Sequence, residues 1–274
     1  MDLFYFVDPD NWRWLTAGKN FTFLLEGFLV NLEIAIIAML LSLILGLLLA
    51  LARISKNRLT RGAARTWIDV WRNLPLVFIL LYFFLGLPDS VKNAYQDAAP
   101  QWLPDAFQSP QIIAALLGLT IYNSAVIAEI MRAGIQSLER GQGEAASALG
   151  LPYWKSMRLV ILPQGLRRMV PATVSQLITL TKDTSLVSIL AISELVRHGR
   201  IVTNTSDNPF VGLNVPAPIL HVFIVVGAMF IVFNLLLSRL SRRLEIRERK
   251  RTGTTVERVT GLEDQVAAEA DVSR

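Results

Sequence analysis

Residues 34–52 contain no charged side chain, and only Glu26 and Glu33 interrupt the apolar run that leads into them from Phe21. About 20 consecutive apolar residues cross roughly 30 Å of hydrocarbon, so a run of this kind constrains the chain to a bilayer before anything else is considered. Similar stretches recur. Residues 73–88, with Trp67 and Trp71 in front, carry no charge, and neither do 106–128 and 208–238. Residues 169–193 are apolar apart from Lys182 and Asp183. The composition agrees: charged residues make up 18% of the chain, against about 25% in an ordinary soluble domain. The expected fold class is an all-α integral membrane protein of five transmembrane helices, over about 22–52, 67–88, 108–131, 169–193 and 217–239. The last run holds Pro209, Pro216 and Pro218, so its regular helix is expected only from about Ile219.

The net charge of +5 does not point to nucleic acid, because the basic residues fall in short loops between the apolar runs. They cluster at 53–72, 132–168 and 239–251, whereas the alternate loops hold only Arg13, Lys19, Lys92, Arg197 and Arg200. The positive-inside rule then puts the N-terminus outside and the C-terminus in the cytoplasm, as an odd number of spans requires. The start of the chain carries Asp2, Asp8 and Asp10 and no basic n-region, so a signal peptide is not expected. Residues 1–20 are expected to form an extracytoplasmic, interfacial segment with Trp12 and Trp14 as anchors rather than a sixth span. Residues 21–245 form the transmembrane domain, and 246–274 a polar cytoplasmic tail. There is no cysteine, and His198 and His221 are too few for a metal cluster, so no metal site is expected.

The loop 139–167 is the most informative segment. Gly143 precedes a stretch beginning with Glu144, where a helix N-terminus favours negative charge. Ala145, Ala146 and Ala148 keep that helix thin, Gly150 supplies a stop, and Pro152 opens the next element after Leu151. A thin helix facing the cytoplasm suits insertion into a groove on a partner. Taken alone, the string reads as an ordinary connecting helix.

In its setting the string is more specific. Glu144-Ala145-Ala146, Gly150, Val160 and Leu162-Pro163 stand at the spacing of the EAA motif, with valine where isoleucine is usual. Asn123-Ser124-Ala125, Ala128-Glu129-Ile130, Arg132-Ala133-Gly134-Ile135, Trp71-Arg72-Asn73-Leu74-Pro75 and Lys182-Asp183-Thr184-Ser185 surround it. Together they resemble the permease subunit of a binding-protein-dependent ABC importer, of the polar amino-acid family. That resemblance implies a type I ABC importer permease fold with a cytoplasmic coupling helix, whose ATPase-coupling residues would be Gly143, Glu144, Ala145, Ala146, Gly150 and Leu151. It implies two cytoplasmic ATP-binding subunits, an extracytoplasmic solute-binding protein, and a second permease, identical or related, in a bacterial inner membrane. The chain has no G-x-x-x-x-G-K-[ST] string. ATP and magnesium would therefore belong to the separate ATPase; the chain itself would carry no cofactor and catalyse no reaction.

An ionisable group inside a span is a functional hypothesis by default. Lys182 lies about 21 Å beyond Arg168 along a helix. Gln176, Thr179 and Asp183 share one helix face. Asp183 would take the ammonium of an amino acid, with Gln176 and Thr179 donating to its carboxylate or side chain; Asn123 and Ser124 would face the same cavity. Glutamate, aspartate or glutamine is the expected substrate, since a cation-selective pocket would carry more carboxylates. The competing reading makes Lys182 and Asp183 a structural pair at a helix break before Thr184. The alternative functions are an ion-coupled secondary amino-acid transporter or channel, with Lys182 and Asp183 as a relay, and a passive membrane anchor. Glu129, at the cytoplasmic end of its span, is expected to act as a gate or to pair with Arg132, three residues on.

Overall fold

The computed structural model describes residues 8–16, 18–138, 140–204 and 217–252, and every regular element among them is helical. The long apolar run forms α1, Asn20–Arg53, about 51 Å in length. It is apolar all round, as an element with protein on one side and lipid on the other must be. Leu24, Ile34, Ala38 and Ser42 are buried, while Ile36, Leu40, Ile44 and Leu48 are exposed.

Expected as one span, 67–88 is instead two helices, α2 (Arg58–Asn73) and α3 (Leu76–Gly86), bent by 101°. The cause is Pro75, which disfavours the helical region for the residue before it; Leu74 is extended at φ −85°, ψ 136°. α2 buries only the narrow strip of Ala64 and Ile68, whereas α3 buries Leu76, Ile79 and Leu80. At about 16 Å, α3 does not cross a bilayer alone. Beyond it, α4 (Asp89–Ala98) folds back so that Tyr95 Oη donates to the Phe107 carbonyl at 2.6 Å. Burial raises the Tyr95 pKa above its usual value.

α5 (Gln111–Gln136) lies against α1, where Ser42 Oγ donates to the Thr120 carbonyl at 3.2 Å. After it come α6 (Arg140–Ala148), a short turn Tyr153–Ser156, a π-helical turn Met157–Ile161, and α7 (Leu162–Asp183). The expected fourth span, 169–193, is therefore not one uniform helix. α7 begins earlier, at Leu162, and gives way at Thr184 to a 3-10 turn, Thr184–Leu190, that ends on Ala191 at φ 61°. α8 (Leu195–Thr203) and α9 (Ile219–Thr252) complete the described chain. α9 starts where expected and continues through 246–252, the first residues of the stretch read as the polar tail. That stretch is rich in arginine, glutamate and lysine, all good helix formers. Residues 253–274 lie outside the described residues, as do 1–7 of the N-terminal segment and the prolines at 209 and 216. Among the described residues three helices are long and apolar enough to cross a membrane, namely α1, α5 and Ile219–Arg247 of α9, or four if the bent pair counts as one.

Two apolar clusters hold these elements. The larger joins α1, α3, α5 and the end of α7 through Ile34, Leu80, Leu119, Ile127, Leu180 and Leu190. The smaller joins α1, α8 and the start of α9 through Leu24, Phe28, Leu195, Val202, Val222 and Val226, and it includes Trp14. Trp14 is thus fully buried and is not the interfacial anchor expected of it. Asn20 Nδ2 donates to the Trp14 carbonyl at 2.8 Å, folding the N-terminal turn onto the bundle. Trp12 stands edge-on to His221, with ring centroids 4.8 Å apart.

α5 and α7 cross closely. A Cβ on Gly134 would sit 2.1 Å from Met169 Cγ, and one on Gly165 would sit 3.1 Å from Ile135 Cα. Gly134→Leu therefore overpacks this crossing. The expected loss is about 1–3 kcal/mol of stability, measured as a lower melting temperature of the detergent-solubilised protein; an unchanged melting temperature would contradict the close crossing.

Candidate functional site

One end of the bundle gathers the C-terminal ends of α1 and α5, the whole of α6 and the start of α7. α6 begins three residues before Gly143, so Gly143 lies within the helix rather than ahead of it, and Glu144 is central rather than first. Ser147 Oγ donates to the Gly143 carbonyl at 2.9 Å across that turn. Its end is closed as expected. Gly150 adopts φ 72°; its N–H donates to the Ser147 carbonyl at 2.9 Å, and the Leu151 N–H to the Ala146 carbonyl at 3.1 Å. These are the paired bonds of a Schellman cap, which needs a left-handed residue at this point.

α6 buries Ala146 against the segment that follows it and leaves Glu144, Ala145, Ser147 and Ala148 exposed. Leu149 is 81% exposed and Trp154 74% exposed. Both large apolar side chains thus stand open beside the thin helix. The loop is also tied to the bundle. Lys56 Nζ lies 4.8 Å from the Tyr153 ring centroid, Gln164 Nε2 donates to Gln142 Oε1 at 3.3 Å, and Arg168 Nη1 donates to the Ser137 carbonyl at 2.8 Å. α6 itself thus meets α7 through Gln142 and Gln164, the segment after it meets the α1–α2 turn through Tyr153, and α7 meets the end of α5 through Arg168 and Ser137. Glu129 pairs with Arg132 at 2.7 Å, as expected, and also with Arg53 of α1 at 3.6 Å, a partner that sequence spacing had no means of revealing.

Toward the middle of the bundle, Gln176 Nε2 donates to Asn123 Oδ1 at 2.8 Å. Two of the six substrate-path candidates, from α7 and α5, thus touch directly. Asn123 is fully buried and donates to the Leu119 carbonyl at 2.8 Å. Ser124 is also fully buried and donates to the Ile121 carbonyl at 2.8 Å. Thr179 Oγ1 faces the Ser175 carbonyl at 3.4 Å. Lys182 is exposed and Asp183 half-buried at the last turn of α7, and no ion pair joins them among the described residues. Beyond them lies a buried polar group that sequence reasoning missed: Asn31, Thr184 and Glu194, bonded to one another. The available signals were an asparagine in the apolar run of α1 and a glutamate just past the fourth apolar run.

The fold and site together are those of a multi-helix membrane bundle that presents a capped, exposed helix at one end and buries polar side chains among its apolar clusters. Residues 42–250 match the family described as the binding-protein-dependent transport system inner membrane component, and the chain belongs to that family of multi-pass inner-membrane proteins. It is 34% identical over 233 residues to a protein of Bacillus subtilis (strain 168) described as a probable glutamine ABC transporter permease protein, covering 85% of this chain and 96% of that one. It is 36% identical over 184 residues to a glutamate/aspartate import permease protein of Escherichia coli O6:H1, covering 67% of this chain and 79% of that one. Its structure is similar to that of an amino acid ABC transporter solved with histidines, with a TM-score of 0.66 and 28% identity, covering 84% of this chain and 95% of that one.

Gly150→Val should loosen the α6 cap, because a β-branched residue resists the left-handed region by about 1–2 kcal/mol. The expected outcome is faster amide hydrogen exchange over residues 145–151 with the rest of the bundle unchanged. Exchange at the wild-type rate would show that the cap does not depend on Gly150.

Proposed function

We propose that this chain is the permease subunit of an ATP-driven importer, forms half of the path for a polar amino acid, and receives its driving force through α6. The observation that carries the reading is the exposed, Schellman-capped α6, bonded to α7 through Gln142 and Gln164 and followed by a segment whose Tyr153 meets Lys56 of the α1–α2 turn. Two cytoplasmic ATP-binding subunits would each supply a groove for one such helix, and they would hold ATP and magnesium. A second permease, identical or related, would close the path, and an extracytoplasmic binding protein would deliver the substrate. In this arrangement the chain performs no reaction of its own. The positive-inside distribution supports a cytoplasmic position for α6 and the C-terminus.

Glutamate, aspartate or glutamine is the proposed substrate class, a reading supported by the names of the two bacterial relatives. Asp183 would receive the ammonium group. Gln176 keeps its carbonyl and one amide hydrogen after bonding Asn123, leaving both available to the rest of the substrate. Closure of the ATPase pair would move α6, and with it the α5–α7 crossing, between inward- and outward-open states.

Two measurements on the assembled importer in proteoliposomes test this. Glu144→Lys should lower binding-protein-stimulated ATP hydrolysis about tenfold, the equivalent of ~1.4 kcal/mol of lost docking, with normal membrane insertion; wild-type stimulation would remove α6 as the lever. Asp183→Ala should reduce uptake of L-glutamine, L-glutamate and L-aspartate at least about tenfold while the complex still assembles. Normal uptake would take Asp183 out of the path, and transport of L-arginine in preference to these three would overturn the substrate class.

A further inference from the structure

The break in α7 comes immediately after Lys182 and Asp183, and what holds it belongs to a different helix. The 3-10 turn beyond the break ends on Ala191 at φ 61°. A non-glycine residue in the left-handed region persists only where its surroundings over-determine it. Asn31 of α1 is the centre of those surroundings. Its Nδ2 donates to Thr184 Oγ1 at 3.1 Å and to Glu194 Oε2 at 3.0 Å, and its Oδ1 accepts the Leu195 N–H at 3.0 Å. Thr184 Oγ1 donates onward to the Thr181 carbonyl at 2.7 Å, in the last turn of α7. Glu194 Oε1 accepts the Arg197 N–H at 2.8 Å and so caps α8. Asn31, Thr184 and Glu194 are all 0% exposed, so water cannot replace any of these bonds. Asn31 donates two bonds and accepts one, a combination that a carboxylate of the same shape does not offer.

We propose that Asn31 is a positioning residue that sets the depth and rotation at which the α7 break presents Lys182 and Asp183. Its importance for transport rests on the reading of Asp183 as a substrate-path residue; the positioning itself does not. Asn31→Asp would set a carboxylate against the Glu194 carboxylate, and Glu194→Gln would set an amide donor against the Asn31 donor. The double variant exchanges the two groups and restores donor to acceptor between positions 31 and 194; the Thr184 hydroxyl then turns from the Thr181 carbonyl to donate to the carboxylate at position 31.

The chain has no cysteine, so Lys182→Cys supplies a single thiol on the permease, and Trp102→Cys, at an 81% exposed position, supplies a control. Both are labelled with a membrane-impermeant maleimide in the assembled importer in proteoliposomes, followed on the permease band. N31D and E194Q should each change the labelling rate at position 182 about tenfold and leave the rate at 102 unchanged. The N31D/E194Q double variant should return the rate at 182 toward its starting value, a rescue that simple loss of stability does not produce. If N31D does not insert, E194Q and the double variant carry the comparison. An unchanged rate at 182 in the single variants, or a double variant no better than E194Q, overturns the proposal. Shifted labelling together with normal uptake by Asp183→Ala keeps the positioning role and removes the substrate-path reading; unshifted labelling together with lost uptake does the reverse.

Discussion

The contact of α1 with α5 is the one on which the other elements depend. Lipid offers little hydrophobic drive for helices to associate, so close approach between small residues and buried hydrogen bonds must supply it. Here Gly46 of α1 admits Ile127 and the Ser124 carbonyl, where a Cβ would lie 2.6 Å from Ile127 Cγ2, and Ser42 bonds the backbone of Thr120. α3 and α7 then pack on α5 from other sides, with Leu80 against Gly118 and Met169 against Gly134. α8 and α9 pack on the outer part of α1 through Leu24 and Phe28.

A second constraint explains where the chain is irregular. Backbone that leaves the helical ladder inside a membrane must find its bonds within the protein. The stretch from Thr184 to Leu195 does so through Asn31 and Glu194, both in the interior. The Leu74–Pro75 break needs less help, because proline has no N–H to satisfy. The two interruptions thus have different origins: one is imposed by a proline, the other is held by a side chain from a distant part of the chain.

This difference sets what could be read from the sequence. α1, α5 and α9 were legible because an uncharged run is a direct measure of cost in lipid. The Schellman cap of α6 was legible at Gly150, but its beginning was not, since Gly141 and Gly143 read as helix-averse. The bend at Pro75 was written in the sequence and was obscured by counting apolarity alone. Trp14 was misplaced because tryptophan serves interfaces and cores equally well, and its burial with Leu24, Leu195 and Val222 depends on tertiary packing. Gln176 and Asn123 were named on separate grounds; their contact depends on the register of two helices, which no local pattern encodes. Asn31 was invisible for a related reason, as its partners lie more than 150 residues away.

The length of α9 also has a consequence for the membrane itself. Its uncharged part, from Ile219 to Ser238, is about 30 Å long, close to the thickness of an average hydrocarbon layer. Arg239, Arg242, Arg243 and Arg247 follow within the same unbroken rod. In a bilayer such a basic collar would sit at the headgroup level. A thinner bilayer would therefore tilt the rod, at a modest cost per ångström of mismatch. Ser241 of the collar donates to the Pro171 carbonyl of α7 at 3.1 Å, so a tilt of the rod would be passed on to α7.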